Sequence, residues 1–497
     1  MQQYILGIDI GTGSTKGVAV DLDGKVIGTS QHHYETLHPE PGFSEQDPEI
    51  IWQAFIKCIN DINKKLQCTP MAVSLSSAMH SLIAVDKNGR AISAMLTWAD
   101  IRSESIATEI RNSPQGENIY RVTGTPIHPM SPLCKLIWLR DNRATLFNDT
   151  FKFVSIKAFI WYKLFQEFEV DYSIASASGL FDIINLCWSE EVCRFAEIAI
   201  NKLSSPVNTN YTRKDMDPAT AALLGIPLQT PFVIGASDGC CANLGSFVTE
   251  PGTAALTIGT SGAVRITGPA PVYNFGAMTF NYLLNEKTFV SGGAVNNGGN
   301  AVNWLTEKFF NKPELKAEDY HQMFTAIEQV APGSDGLMFL PYLYGERAPI
   351  WDAGSSGAFL NIRPAHSQAH FLRAALEGIC YALNDVLTSL ETASVKVNQV
   401  NISGGFIAST TWTQLLADIT GKNLVVLQVD DASAIGAIYL AMGALFPDSL
   451  HYQPDQKDAL VIKPNMENNK LYARNFILYK KAYDNMKNCM ALFHEPK

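Results

Sequence analysis

Residues 7–16 read Gly-Ile-Asp-Ile-Gly-Thr-Gly-Ser-Thr-Lys, and the local structure that this stretch predicts indicates the fold. The apolar run at 4–8 predicts a buried strand, and Gly11 and Gly13 predict a tight turn directly after it. A second apolar run at 18–20 leads into Asp-Leu-Asp-Gly at 21–24, which is typical of a hairpin turn. The glycine loop therefore joins two strands, whereas a Walker-type phosphate loop leads from a strand into a helix.

The chemistry of this loop suits a phosphate group. Backbone N–H groups in a glycine turn can point at an anion, and Lys16 adds a positive charge. Asp9 ends the first strand, where a carboxylate could hold a magnesium-bound water. Taken alone, however, a glycine-rich turn after a strand usually only reverses the chain.

The second half of the chain repeats the pattern. Residues 255–264 read Ala-Leu-Thr-Ile-Gly-Thr-Ser-Gly-Ala-Val and echo residues 8–14. Two strand–loop–strand units, one in each half, would bind a polyphosphate from both sides. The repeated Ile-Gly-Thr therefore favours a nucleotide site over a pair of ordinary turns.

Composition and charge narrow the class of protein. A chain of 497 residues exceeds a single ordinary core and predicts two large domains, and 46% hydrophobic residues fit a folded interior. The net charge of −10, without a long basic tract, argues against nucleic-acid binding. Nine scattered cysteines without CxxC spacing favour reduced thiols. No secretory signal or bilayer-spanning run is evident, which predicts a soluble, cytoplasmic protein that does not bind membranes.

Strand-like and helix-like stretches alternate along the chain, which indicates an α/β fold. Asp238 follows the apolar run at 231–235, where it could accept a proton from a hydroxyl at the mouth of a cleft, or cap the next helix. His80 and Trp98 also follow strand ends and are either ligand contacts or core residues. The small residues around Gly436 predict a helix that packs very closely against a neighbour.

Together these residues resemble the FGGY family of carbohydrate kinases along nearly the whole chain. The first family signature is matched by Met130, Pro132, Lys135, Leu136, Trp138, Leu139, Asp141 and Asn142. The second is matched by Gly357, Phe359, Ile362, His370, Phe371, Ala374, Ala375, Leu376 and Glu377. Asn361 departs from the second signature, which expects glycine there, but asparagine also tolerates left-handed backbone angles.

The resemblance implies two actin-like, ribonuclease H-like ATPase domains, at 1–245 and 246–497, with ATP and Mg²⁺ in the cleft between them. It places Asp9 near magnesium and implies ATP contacts from Thr12, Gly13, Ser14, Lys16, Thr260, Gly299, Asn303, Gly405 and Ser409. It implies a sugar site made by Met79, His80, Trp98, Asp100, Arg102, Asp238 and Gly239. A homodimer is one candidate assembly.

Within the family the chain is most similar to bacterial gluconokinases, in the stretches 78–81, 97–100, 124–132 and 171–179. The hypothesis is phosphoryl transfer from ATP to O6 of D-gluconate, with Asp238 as base. Arg102 is the first candidate for the substrate carboxylate, and the further candidates are His80, His128, Lys157 and Arg347. Two alternatives stay open: a xylulokinase or other polyol kinase, and a nucleotide-driven binding protein like actin or the chaperone ATPases.

Overall fold

The computed structural model describes residues 3–310, 312, 317–394, 396–427, 431–446 and 459–493. In the first half the strands are β1 (Tyr4–Ile10), β2 (Ser14–Asp21), β3 (Val26–His33), β4 (Glu45–Gln46), β5 (Ala72–Ser77), β6 (Ile83–Val85), β7 (Met95–Leu96), β8 (Lys152–Val154), β9 (Glu169–Asp171), β10 (Phe181–Asp182), β11 (Cys187–Trp188), β12 (Ser205–Val207), β13 (Thr212–Arg213) and β14 (Phe232–Ser237). The helices of this half are α1 (Pro48–Leu66), α2 (Glu104–Asn112), α3 (Gly116–Thr123), α4 (Pro132–Asn142), α5 (Ala144–Asp149), α6 (Ile156–Phe165), α7 (Tyr172–Ser176), α8 (Glu190–Phe195), α9 (Pro218–Leu224) and α10 (Asp238–Gly245), with a 3₁₀ turn at Ile200–Lys202.

The second half continues the alternation. Its strands are β15 (Thr253–Ile258), β16 (Gly262–Gly268), β17 (Phe280–Asn285), β18 (Thr288–Val295), β19 (Met338–Leu340), β20 (Ala358–Leu360), β21 (Gln399–Ser403), β22 (Asn423–Val426) and β23 (Val461–Ile462). Its helices are α11 (Gly299–Phe310), α12 (Ala317–Glu328), α13 (Gln368–Ala393), α14 (Thr410–Thr420), α15 (Ala432–Leu445) and α16 (Met466–Leu492), with 3₁₀ turns at Ser334–Gly336 and Gly405–Ala408.

The two main sheets are built in the same order. In the first, β3, β2 and β1 are antiparallel neighbours, and β5 and β14 extend the sheet in parallel beyond β1. In the second, β18, β16 and β15 are antiparallel, and β21 and β22 follow in parallel. This shared order is the ribonuclease H-like arrangement that the family resemblance implies, and it confirms the predicted α/β class and internal repeat.

Local sequence explains the ends of the main helices. Asp47 caps α1 by accepting a hydrogen bond from the Glu49 N–H, and Pro48 occupies the first turn, where its missing N–H costs nothing. Ser367 and His370 form a reciprocal cap at the start of α13. Asn361, the departure from the family signature, has φ +63°, so it adopts the left-handed conformation for which glycine is expected.

Helix α15 connects the two halves. A Cβ added to Gly436 would lie 1.9 Å from the carbonyl oxygen of Cys241 in α10, and one added to Gly7 of β1 would lie 2.3 Å from the carbonyl oxygen of Ala434. The predicted close packing of this helix is therefore confirmed at Gly436. The contact places a helix from the second half of the sequence against the sheet of the first half. Among the described helices, none has the length and apolar character needed to cross a membrane.

Candidate functional site

The two glycine turns occupy equivalent positions in the two sheets. The turn between β1 and β2 is closed by a hydrogen bond from the Gly11 N–H to the Ser14 carbonyl (3.0 Å). The turn between β15 and β16 is closed in the same way, from the Gly259 N–H to the Ser261 carbonyl (2.9 Å). Such short strand–strand turns expose backbone N–H groups at the sheet edge, where an anion can reach them.

Both turns face one cavity of about 420 Å³, which we call the cleft cavity. Its wall brings together residues predicted separately from the two halves of the chain: Thr12, Met79, His80, Trp98, Asp238 and Thr260. The wall also contains Arg265, Tyr282, Arg347 and Trp351. The Trp98 indole N–H donates to Thr12 Oγ1 (2.8 Å), which ties the loop after β7 to the first glycine turn.

A second cavity of about 810 Å³ lies in the C-terminal half, and we call it the C-terminal cavity. It is lined by four residues predicted for nucleotide binding, Gly299, Asn303, Gly405 and Ser409. Aromatic rings of Tyr320, Phe324, Phe406 and Trp412 add apolar wall. Gly259 and Thr260 line both cavities, so the second glycine turn is where the two spaces adjoin.

Asp238 is the first residue of α10 and lies in the wall of the cleft cavity. The helix cap is supplied by Ser237, whose hydroxyl accepts from the Cys240 N–H, so Asp238 is not the capping residue. Burial, together with the nearby Asp9 carboxylate, raises the pKa of Asp238 to about 7, while Arg265 opposes the rise. A carboxylate with a pKa near neutrality can accept a proton and release it again.

Asp9 lies at the end of β1, half-buried, and accepts a hydrogen bond from the Ser76 hydroxyl (2.7 Å). Burial raises the pKa of this carboxyl group, and the positive charges of Lys157 and Lys16 partly oppose the shift. In the described part of the chain, no cluster of three or more acidic, histidine or cysteine side chains could hold a metal ion by itself. The two carboxylates of Asp9 and Asp238 instead fit Mg²⁺, which commonly keeps several waters and shares few carboxylates with substrate phosphates.

His80 lines the cleft cavity as a neutral imidazole. Its Nδ1 contacts the Ala177 carbonyl (2.8 Å) and its Nε2 contacts the Tyr282 hydroxyl (3.2 Å), which assigns the proton to Nδ1. Burial and the positive charge of Lys135 lower the pKa of His80 to about 3. Burial likewise lowers the pKa of His128 well below its usual value. Neither histidine can therefore offer a positive charge near neutral pH.

Lys135 holds two of the site loops together. Its buried ammonium donates to the His80 carbonyl (2.6 Å) and to the Thr97 carbonyl (2.7 Å). Burial lowers the pKa of Lys135 to about 7, although the nearby Asp100 opposes the shift. This signature lysine thus positions the loops that carry His80 and Trp98, without itself lining either cavity.

The structure does not bring Asp100 and Arg102 to the cleft cavity. The guanidinium of Arg102 pairs with both oxygens of Asp100 and with Glu45 (2.6 Å from Nη2 to Oε1), and its face lies 3.6 Å from the Phe43 ring centre. Only 5% of the Arg102 side chain is exposed. Through these ion pairs, the two residues hold the segment around Glu45 against the loop that follows Trp98.

Three residues predicted for phosphate contact are also absent from the described walls of both cavities: Gly13, Ser14 and Lys16. Ser14 accepts a hydrogen bond from the Gln31 side chain (2.9 Å), and the Lys16 ammonium contacts the Asp431 carboxylate across the two halves. Gly239 lies just inside α10, beside Met79 and Arg265.

Sequence reasoning missed several cavity residues. Arg265 is a charged residue inside the otherwise apolar stretch 263–266, and that contrast was the available signal. Tyr282 lies outside the motifs, and Trp351 lies between Arg347 and the second family signature; tertiary packing brings both to the wall. Tyr320 and Phe324 line the C-terminal cavity from α12, whose amphipathic pattern indicates a helix but no ligand.

Comparison with known proteins gives consistent matches. The N-terminal domain model of the FGGY family of carbohydrate kinases matches residues 4–245, and the C-terminal domain model matches residues 254–445. The gluconokinase of Bacillus subtilis is 40% identical over 89% of this chain and 88% of its own length. Two solved structures from Lactobacillus acidophilus, described as a gluconate kinase and as a ligand-bound xylulose kinase, each match with TM-score 0.93 and 31% identity over 99% of this chain and 100% of theirs.

Proposed function

Because this chain belongs to the FGGY family of carbohydrate kinases, phosphotransferases that act on a sugar hydroxyl, we propose that it phosphorylates D-gluconate at O6 with ATP. The product is 6-phospho-D-gluconate. The observation that carries the proposal is the common wall of the two cavities at Gly259 and Thr260, with Asp238 inside the smaller one. That arrangement offers a path for a triphosphate from a nucleoside pocket to an acceptor pocket.

The nucleoside of ATP occupies the C-terminal cavity in this proposal. The open space beside Gly405 and the aromatic walls of Phe406 and Trp412 suit a base. The triphosphate then runs past Thr260 into the cleft cavity, where Thr12 of the first glycine turn faces it from the other half. Thr12 Oγ1 already accepts from Trp98, so its own hydrogen is available to a phosphate oxygen.

The gluconate lies in the cleft cavity against Met79, His80 and Trp98. Asp238 orients the O6 hydroxyl in line with the γ-phosphorus and accepts its proton as the new P–O bond forms and ADP leaves. The raised pKa of Asp238 makes proton transfer in both directions accessible near pH 7. Positioning and electrostatics provide most of the acceleration in such a transfer.

Mg²⁺ fits this site through Asp9, with Asp238 as its neighbour. A bound magnesium ion supplies positive charge that neutralises the phosphate oxygens. Asp9 is held in place by a hydrogen bond from the Ser76 hydroxyl, so its carboxylate would be positioned to hold that ion or one of its waters.

The choice of gluconate over a neutral sugar rests on sequence similarity and on charge. The 40% identity to the Bacillus subtilis gluconokinase supports gluconate. The two Lactobacillus structures carry different substrate descriptions and match equally well, so their similarity supports both gluconate and xylulose. The wall of the cleft cavity contains two arginines, which favour an acidic substrate.

ATP consumption measured with D-gluconate, D-xylulose, D-ribulose and glycerol, followed by NMR of the product, tests the proposal. We expect strict dependence on the sugar, the highest kcat/KM with gluconate, and phosphate on O6. A preference for xylulose would replace the substrate assignment while keeping the kinase. ATP consumption that no sugar stimulates would instead favour a nucleotide-driven binding protein.

A further inference from the structure

Arg265 carries a buried side-chain donor, Nε, for which the described residues offer no hydrogen-bond acceptor. It lies in the middle of β16, three residues beyond Gly262, and its side chain lines the cleft cavity. Within the described residues, its buried Nε has no hydrogen-bond partner. A buried donor that is left without an acceptor destabilises the folded protein. The unused donor therefore points to a ligand that supplies the acceptor.

The surroundings of Arg265 leave room for such a ligand. A Cβ added to Gly239 would lie 3.5 Å from Arg265 Nε, 3.9 Å from Nη2 and 3.0 Å from Met79 Cε. The guanidinium thus lies over a residue without a side chain, next to the proposed base. Among the described residues of the cavity wall, Asp238 is the one acidic side chain. Its pKa of about 7 leaves it partly protonated at neutral pH.

A second guanidinium adds to the positive charge of the cavity. Arg347 Nε donates to the side-chain oxygen of Asn296 (2.7 Å), and Nη2 donates to the Val295 carbonyl (3.2 Å). Its guanidinium lies 5.2 Å from the ring centre of Trp98. Arg347 is therefore held by protein acceptors, and of the two arginines it is Arg265 that has an unused, buried donor.

The other cations considered for the substrate carboxylate are already engaged or neutral. Arg102 is paired with Asp100 and Glu45, as described above. Lys157 pairs with Asp171 (2.7 Å) and also donates to the Ala236 carbonyl (2.7 Å). The two histidines, as shown above, are neutral at physiological pH.

We propose that Arg265 binds the carboxylate of the sugar-acid substrate and selects it over neutral polyols, an inference that rests on the proposed function. A guanidinium binds a carboxylate through two parallel N–H···O hydrogen bonds. A neutral polyol would leave the buried Nε donor without a charged acceptor, so the same residue that favours the acid disfavours the alcohol. Gly239 contributes by leaving space for the guanidinium and the substrate.

The test compares D-gluconate with neutral acceptors, D-glucitol and D-xylulose, in the wild-type enzyme and in Arg265→Met. Loss of a charge-assisted contact should raise the KM for gluconate about 10- to 100-fold. The ratio of kcat/KM for gluconate over the better neutral acceptor should fall at least tenfold. Arg265→Lys, which keeps the charge but loses the two-pronged geometry, should give an intermediate ratio.

Arg121→Met is the matched control, because this arginine pairs with Glu117 on an exposed helix surface, away from both cavities. Its ratio should equal that of the wild type. An equal loss of both kinds of acceptor in Arg265→Met would mean that Arg265 acts through Asp238 or the phosphates and would overturn the inference. A wild-type enzyme that does not phosphorylate gluconate would instead overturn the proposed function itself.

Discussion

At the scale of single residues, function depends on how the fold treats a few charges. The fold raises the pKa of the Asp238 carboxyl group to about 7, through burial and the proximity of Asp9. Arg102 and Arg265 carry the same group, yet one is paired with two carboxylates and the other faces a cavity with a free donor. The residue type alone does not distinguish a structural charge from a binding charge.

Asp238→Asn should lower kcat by a factor of about 10² to 10⁴, the usual cost of losing a well-placed base, while ATP still binds. In the wild type, kcat/KM should fall as pH drops below about 7, since protonated Asp238 cannot accept the hydroxyl proton. The pH–rate profiles of both enzymes check this. A variant with near-normal turnover would remove Asp238 from the proposed role.

Thermal unfolding of the same variant provides the control for folding. The pKa of Asp238 is about 7 in the folded protein, against about 4 for an ordinary aspartate, so the charged carboxylate costs stability increasingly as pH rises from about 4 to 7. Asp238→Asn removes this cost and should raise Tm at pH 8 but hardly at pH 4. A lower Tm at pH 8 would show that lost turnover reflects damage to the fold.

At the scale of elements, helix α15 of the C-terminal half packs against the elements that position the proposed base. Gly436 lets it approach α10, the helix that begins with Asp238. Gly7 gives it equal access to β1, which ends next to the first glycine turn. The position of the proposed base therefore depends on two backbone contacts that only glycine permits.

Gly436→Ala should destabilise the protein by about 1 to 3 kcal/mol, the usual cost of overpacking, and should also reduce activity because α10 must shift. Gly443→Ala is the matched control on the same helix: it has open space around the added Cβ and should be neutral or slightly stabilising. Measurements of Tm and kcat for both variants test this prediction. Equal effects of the two substitutions would contradict the packing argument.

At the scale of the whole molecule, two sheets of the same strand order present their glycine turns to one cavity. A phosphoryl transfer between the halves must exclude water, which competes with the sugar as acceptor. The ion pair of Lys16 with Asp431 also spans the two halves. The architecture thus suits a cleft that closes when both substrates are present.

We expect gluconate and a non-hydrolysable ATP analogue together to reduce the radius of gyration in small-angle X-ray scattering more than either ligand alone. The reason is that residues of both halves line the cleft cavity, so that two ligands together should stabilise the closed cleft more than either alone. D-Glucitol with the same analogue serves as the control and should give a smaller change. Scattering curves that stay the same with both ligands would argue against closure.

The α/β class, the paired turns and the family can be predicted from the amino-acid sequence alone. These features are local: apolar runs and turn glycines need only neighbouring residues, and the Ile-Gly-Thr repeat marked both turns. Such signals also located Thr12, His80, Trp98, Asp238 and Thr260, each directly after a strand.

Which charges are free to act follows from three-dimensional packing. Glu45 and Asp100 pair with Arg102 away from the described cavity walls, whereas Arg265 lies beside Gly239 in the wall of the cleft cavity. Whether a charge is paired depends on residues far away in the chain, since burial and ion pairing arise from packing. A local sequence pattern cannot contain that information.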